Sequence, residues 1–397
     1  MTRLAAALIF SLYAAAQPPP TLPTQLEIDA ALHDLAAASG FRIKHNVGFR
    51  LITRAEAGRY FAERIQQSLR PKQVRAEELT LKKFGFVPAD FDLARETASL
   101  MTEQATAFYD YRTRQLYIAD WTPPALRETA LLHELAHALA DQNFSIGHYL
   151  GSAQKDSEAA SAREAVVEGQ ATLLAAQVEF KRHGKVEDNT TDDAAPSGAT
   201  EYPEFDRAPL YFRETLLFPY LQGSQFMRQV LAREGRSAFR DVFEQPPQTT
   251  RQILQVQAYF DHERPADPPL PSAPHGGGKH KDVVQGTLGE LEHKILLQQF
   301  DSAETADALS GAWRGCRFKL LESDGRTMLL YASEWASDTD AAHFFDAYEK
   351  VLRGKSKSLR LDARTATRIS GLADDGYFEV ERNGARVTSR QGWPAAF

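Results

Sequence analysis

The chain has 397 residues, 43% of them hydrophobic and 25% charged, which is globular composition with length enough for two domains. Its formal net charge of -7 and pI near 5.9 argue against a general nucleic-acid binder. A single cysteine, Cys316, leaves no partner for an intrachain disulfide and reads as a small buried hydrophobe.

The first stretch, MTRLAAALIFSLYAAAQPPP, has the layout of a signal peptide over residues 1–16. Arg3 supplies the early cation, residues 4–13 the apolar run, and Ala14 and Ala16 the small side chains a signal peptidase needs. The run is too short to span a bilayer and prolines follow at once. No later segment holds 18 consecutive apolar residues, so the mature chain is expected to be exported without a membrane span, to a bacterial periplasm or the extracellular space.

Helical spacing of apolar residues over 26–39 predicts a helix. VGFRLIT (residues 47–53) alternates like a strand, and RAEAGRYFAERIQQSL after it is helical. Residues 76–106 read as further helix broken near Pro88. AFYDYRTRQLYIADW (residues 107–121) predicts a hairpin. Thr122 is placed to cap the next helix, with Pro123 at its first position. Another helix is expected over 157–180, and a mobile polar and acidic insertion over 184–206. Helical patterns resume in LYFRETLLFPYLQGSQFMRQVLAREG and RSAFRDVFEQ. Residues 262–281 (HERPADPPLPSAPHGGGKHK) have linker composition, in which His275 and His280 are read as linker residues rather than metal ligands. Beyond it, TADALSGAW, two strands (RFKLLES and RTMLLYASEW), an amphipathic helix (DTDAAHFFDAYEKVLRG) and a hairpin turning at Asn383-Gly384 predict a small α+β domain.

The chemistry concentrates in LLHELAHALADQ. On a helix, His133 and His137 lie on one face one turn apart, so their imidazoles can converge on one ion. Glu134 is rotated by roughly 100° from His133, outside the ligand pair but within reach of a water beside it. That is the layout of His-Glu-x-x-His: two zinc ligands and a general base. Leu132, Leu135, Ala136 and Leu139 give the helix an apolar face to bury. A third protein ligand is required for a catalytic zinc, and SAREAVVEGQATLL offers Glu164 and Glu168, one turn apart.

HELAH followed by EGQAT resembles the gluzincin metallopeptidases, the thermolysin-like and membrane-alanyl-aminopeptidase-like enzymes. FPYLQGSQF and EQPPQTTRQIL extend the likeness to a bacterial family of exported proteins. In the aminopeptidase branch a glycine and a small residue follow the ligand glutamate, which implies Glu168 as third ligand; the thermolysin pattern would instead make Glu164 the ligand and Glu168 its support. The resemblance also implies a structural or supporting role for Asp141, an edge strand at RQLYIAD that pairs with extended substrate, and Tyr220 as oxyanion donor, against the plainer reading of a packed helical tyrosine.

The expected fold is therefore α+β: a mostly helical zincin-like metallopeptidase domain with a small edge sheet (17–261), a linker (262–282) and a small α+β domain (283–397). The expected activity is zinc-dependent peptide hydrolysis, with His133, His137 and Glu168 holding Zn²⁺ and Glu134 as base, on a peptide or protein substrate. The competing expectation is a non-enzymatic envelope binding or assembly protein with a structural or vestigial zinc site. An intact Glu134 weighs against it, because a structural site needs no base.

Overall fold

The computed structural model describes residues 23–68, 71–104, 107–122, 124–154, 156–184, 202–274 and 280–395. The signal-peptide reading, Pro123 as first helical residue, His275 and most of the acidic insertion lie outside them.

Helix α1 (Gln25–Ser39) starts with a capping box: the Glu27 amide donates to the Thr24 hydroxyl, and the Thr24 amide donates to the Glu27 carboxylate at 2.7 Å. Then follow β1 (Gly48–Ile52), α2 (Arg54–Ser68), α3 (Pro71–Phe84) and α4 (Leu93–Gln104). Strands β2 (Ala107–Asp110) and β3 (Gln115–Ala119) form the hairpin, with Arg114 in its turn at φ 55°. The long helix α5 (Pro124–Phe144), the short α6 (Ile146–Gly151) and the long α7 (Ser157–His183) come next. Helices α8 (Pro203–Arg207), α9 (Leu210–Glu234), α10 (Ala238–Glu244), α11 (Thr250–Leu254) and α12 (Val256–Phe260) complete the helical region.

The C-terminal region contains β4 (Lys281–Gly286), α13 (Glu290–Phe300), α14 (Ala303–Ser310), β5 (Trp313–Ser323) and β6 (Arg326–Trp335). It continues with α15 (Asp338–Lys355), β7 (Leu359–Arg364), β8 (Arg368–Ala373), β9 (Gly376–Asn383) and β10 (Arg386–Trp393). The fold is α+β. Seven strands form one antiparallel sheet in the order β4-β5-β6-β10-β9-β8-β7, with α15 packed on it through Phe344 and Tyr348 against Trp335 and Tyr331. One hydrophobic cluster runs from Leu32 and Leu135 through Phe84 and Tyr211 to Phe318 and Tyr331, so helical and sheet regions share a core.

Three expectations are corrected. RQLYIAD is not an edge strand: the small sheet has the order β1-β3-β2, with β1 parallel and β2 antiparallel to the central β3. The strand bordering α5 at Glu134 is β2. Second, residues 262–274 are not a free linker. Ala266 bridges to Gly315, Leu270 and Ala273 pack on the cluster of Leu321, Met328, Leu330 and Trp393, and the Ser272 carbonyl accepts from Arg390 at 2.9 Å. His280 likewise stands edge-on to Trp393. Third, the insertion ends in the short helix α8, whose first amides at Glu204 and Phe205 donate to Glu103 of α4, each at 2.9 Å. Among the described residues no helix is long and apolar enough to cross a membrane.

Candidate metal centre

The centre is built from two antiparallel helices. In α5 the expected apolar face is fully used: Leu132, Leu135 and Leu139 are 0% exposed and Ala136 1%. Helix α7 begins at Asp156, whose carboxylate accepts the Glu158 and Ala159 amides, and ends at Gly184 in a left-handed conformation, φ 65°. Ties at both ends fix its position against α5. Arg182 pairs with Glu128 of α5 at 2.9 Å, and Thr129 donates to Glu179. Near the other end Arg163 donates to the Tyr149 carbonyl at 2.7 Å.

Antiparallel packing carries Glu168 to the two histidines. His133 Nε2 and His137 Nε2 are 3.0 Å apart, and Glu168 Oε2 lies 3.1 Å from the first and 3.2 Å from the second. All three side chains are buried. A tetrahedral zinc with bonds of about 2.0–2.1 Å holds its donors roughly 3.3 Å apart, so this triangle fits the ion without rearrangement. Burial lowers the His133 pKa, while His137 is raised because Glu168 outweighs its burial. Burial would raise Glu168, yet the two imidazoles hold it at about 2, in the ionised form a ligand requires. The donor chemistry and the geometry both fit a zinc ion.

Glu134 stands outside the triangle. Its Oε2 accepts the Tyr109 amide of β2 at 2.7 Å, and its Oε1 is buried with no hydrogen-bond partner. Burial pushes its pKa up to about 8, with the nearby Glu168 charge adding to the rise. An orphaned oxygen of this kind is costly and is common where chemistry is done. Glu164 is not brought into the triangle; its charge bears instead on Tyr111.

Asp141 is a structural residue. One oxygen accepts the Ile146 amide at 2.8 Å, fixing the start of α6, and the other accepts the Tyr109 hydroxyl at 3.1 Å. Tyr109 thus grips α5 twice, by its amide at Glu134 and by its hydroxyl at Asp141. Backbone donors leave no mark in a sequence, so this role was not readable. Tyr220 of α9 is half-buried, its ring 6.0 Å from that of His133 and at 28° to it. It is therefore beside the centre. Leu216 and Tyr220 also pack on the cluster of Phe61, Met101 and Phe108.

Residues 279–397 match the model of a domain family of unknown function, DUF8575. No curated protein and no solved structure matches the chain. The His133, His137 and Glu168 cluster lies wholly outside the matched stretch.

Proposed function

We propose that the chain is a gluzincin-type zinc metallopeptidase acting outside the cytoplasm. One observation carries the reading: three ligand atoms within 3.0–3.2 Å of one another, with a carboxylate oxygen buried and unpaired just outside the set. A zinc ion held by His133, His137 and Glu168 would supply Lewis acidity towards water and a peptide carbonyl. Glu134 Oε1 takes a proton from the attacking water and returns it to the leaving amine, a role for which its buried oxygen without a hydrogen-bond partner is available. Tyr109 orients that carboxylate through its amide. The Tyr220 hydroxyl would share the charge developing on the carbonyl oxygen, a role supported by the 6.0 Å between its ring and that of His133.

One observation favours the second reading, a structural zinc in a binding protein: His133 is 3% exposed, Glu134 0%, His137 5% and Glu168 3%. A peptidase with this centre must open to admit substrate. The two readings separate on purified protein. The peptidase binds one zinc per chain and cleaves members of a diverse peptide library; Glu134→Gln keeps the zinc and loses about 10²–10⁴ in turnover. Equal cleavage by both proteins would overturn the mechanism, and zinc without cleavage of any peptide would favour the structural site.

A further inference from the structure

A second site lies behind the metal helix. A cavity of about 570 Å³ opens where the C-terminal ends of α1 and α5 meet the start of α10. Arg42, Arg236 and Arg240 line it, and no carboxylate does. Among the described residues, neither Arg42 nor Arg236 has an acidic partner. The one bond of the Arg236 guanidinium is a 3.4 Å donation to the Ala37 carbonyl. Arg240 is paired with Asp241 at 2.7 Å and with Glu244 at 3.5 Å, which offset its charge, so Arg42 and Arg236 are the cations open to a ligand.

These arginines are carried on fixed backbone. Asn143, in the last turn of α5, accepts the Arg42 amide at 3.3 Å and donates to the Arg42 carbonyl at 3.0 Å. Phe41 packs edge-on to Phe144 at 5.1 Å. Gly40 has φ +80°, and a Cβ there would be 3.3 Å from the Arg236 guanidinium carbon, so the guanidinium lies over bare glycine backbone. The chain as a whole carries a net charge of -7, yet three exposed arginines line this cavity, and among the described residues only Arg240 of the three is paired with carboxylates. An anion that accepts from more than one guanidinium fork at once would complete the site.

We propose that this cavity binds a small multivalent oxyanion, bearing phosphate or carboxylate groups, independently of the metal centre. The volume suits a small molecule. Two probes separate the two chemistries: inorganic phosphate and succinate, titrated calorimetrically into the metal-free full chain in low-salt buffer. Saturable binding of one or both at a single site is expected. Arg42→Gln and Arg236→Gln should each weaken it about tenfold, because each removes a charge-assisted fork. Arg228→Gln, on the exposed side of α9, should change nothing. The His137→Ala chain should bind the probe as wild type does. The proposal falls if neither probe binds at millimolar concentration. It also falls if the Arg42→Gln/Arg236→Gln chain, shown folded by its thermal melt, binds as wild type, or if His137→Ala abolishes binding and so places the anion at the metal centre.

Discussion

Gly169 of α7, the residue after Glu168, meets Gly223 of α9 backbone to backbone: a Cβ on Gly169 would stand 2.1 Å from the Gly223 carbonyl carbon. In return, a Cβ on Gly223 would stand 2.2 Å from the Ala165 carbonyl oxygen. Two glycines let the helices touch, and that contact holds Tyr220, one turn before Gly223, beside His133. Replacing Gly223 with Ala should cost about 1–3 kcal/mol or more in denaturant unfolding, the range for overpacking a core. It should also weaken zinc affinity. A Gly223→Ala chain as stable as wild type would mean that the helices can part without cost.

Zinc affinity should rank the acidic residues of α7. Glu168→Gln should lose tight zinc and Glu164→Gln should keep it, because Glu168 alone reaches both imidazoles. His137→Ala should abolish stoichiometric zinc. Metal analysis after gel filtration checks all three, and a larger loss at Glu164 would move the ligand one turn.

Tyr220→Phe tests the oxyanion assignment. It keeps the ring against His133 and removes the hydroxyl. Zinc content and KM should hold near wild type while kcat falls by roughly 10²–10³, as for loss of one oxyanion donor. An unchanged kcat would leave Tyr220 as a packed aromatic.

Stability should fall with rising pH because of Glu158. Its carboxylate accepts the Thr250 amide at 2.9 Å and the Thr250 hydroxyl at 2.8 Å, and a Cβ on Gly289 would stand 2.0 Å from it. Burial, and then the neighbouring Glu292 charge, raise its pKa well above the ordinary carboxylate value. The native state therefore keeps a proton that the unfolded chain has released. Its contribution is complete below the ordinary carboxylate pKa and is lost as pH rises through the folded one, at up to about 1.4 kcal/mol per pH unit. The melting temperature of Glu158→Gln, whose amide does not titrate, should decline less steeply than that of wild type from mildly acid to alkaline pH. Parallel curves would show that Glu158 ionises in place.

Much of this was legible in the sequence because it is local. Periodicity located α1, α2, α5, α7, α9 and α15 to within a few residues, and His133, Glu134 and His137 were placed on one helix by spacing alone. The Asn383-Gly384 turn was read from its two residues, and Gly384 has φ 59°. Short or edge elements escaped: α6, β4, β7 and β8 were not foreseen, since a few residues carry too little pattern to tell an element from a loop, and the 11-residue α13 was missed as well.

The sequence by itself determined the two histidines that share a helix face, the offset glutamate between them and the α+β class, because helical pitch and apolar spacing are properties of neighbouring residues. Only the tertiary structure decided that Glu168 and not Glu164 meets the histidines, since that depends on how far α7 slides along α5. It alone put β3 in the centre of its sheet, through pairing with a β1 more than sixty residues away. It alone laid residues 262–274 down as a strap, because Leu270 and Ala273 meet the cluster of Leu321, Met328, Leu330 and Trp393 only once the chain has closed on itself. Such contacts are set by what arrives from elsewhere in the chain, and no local pattern encodes them.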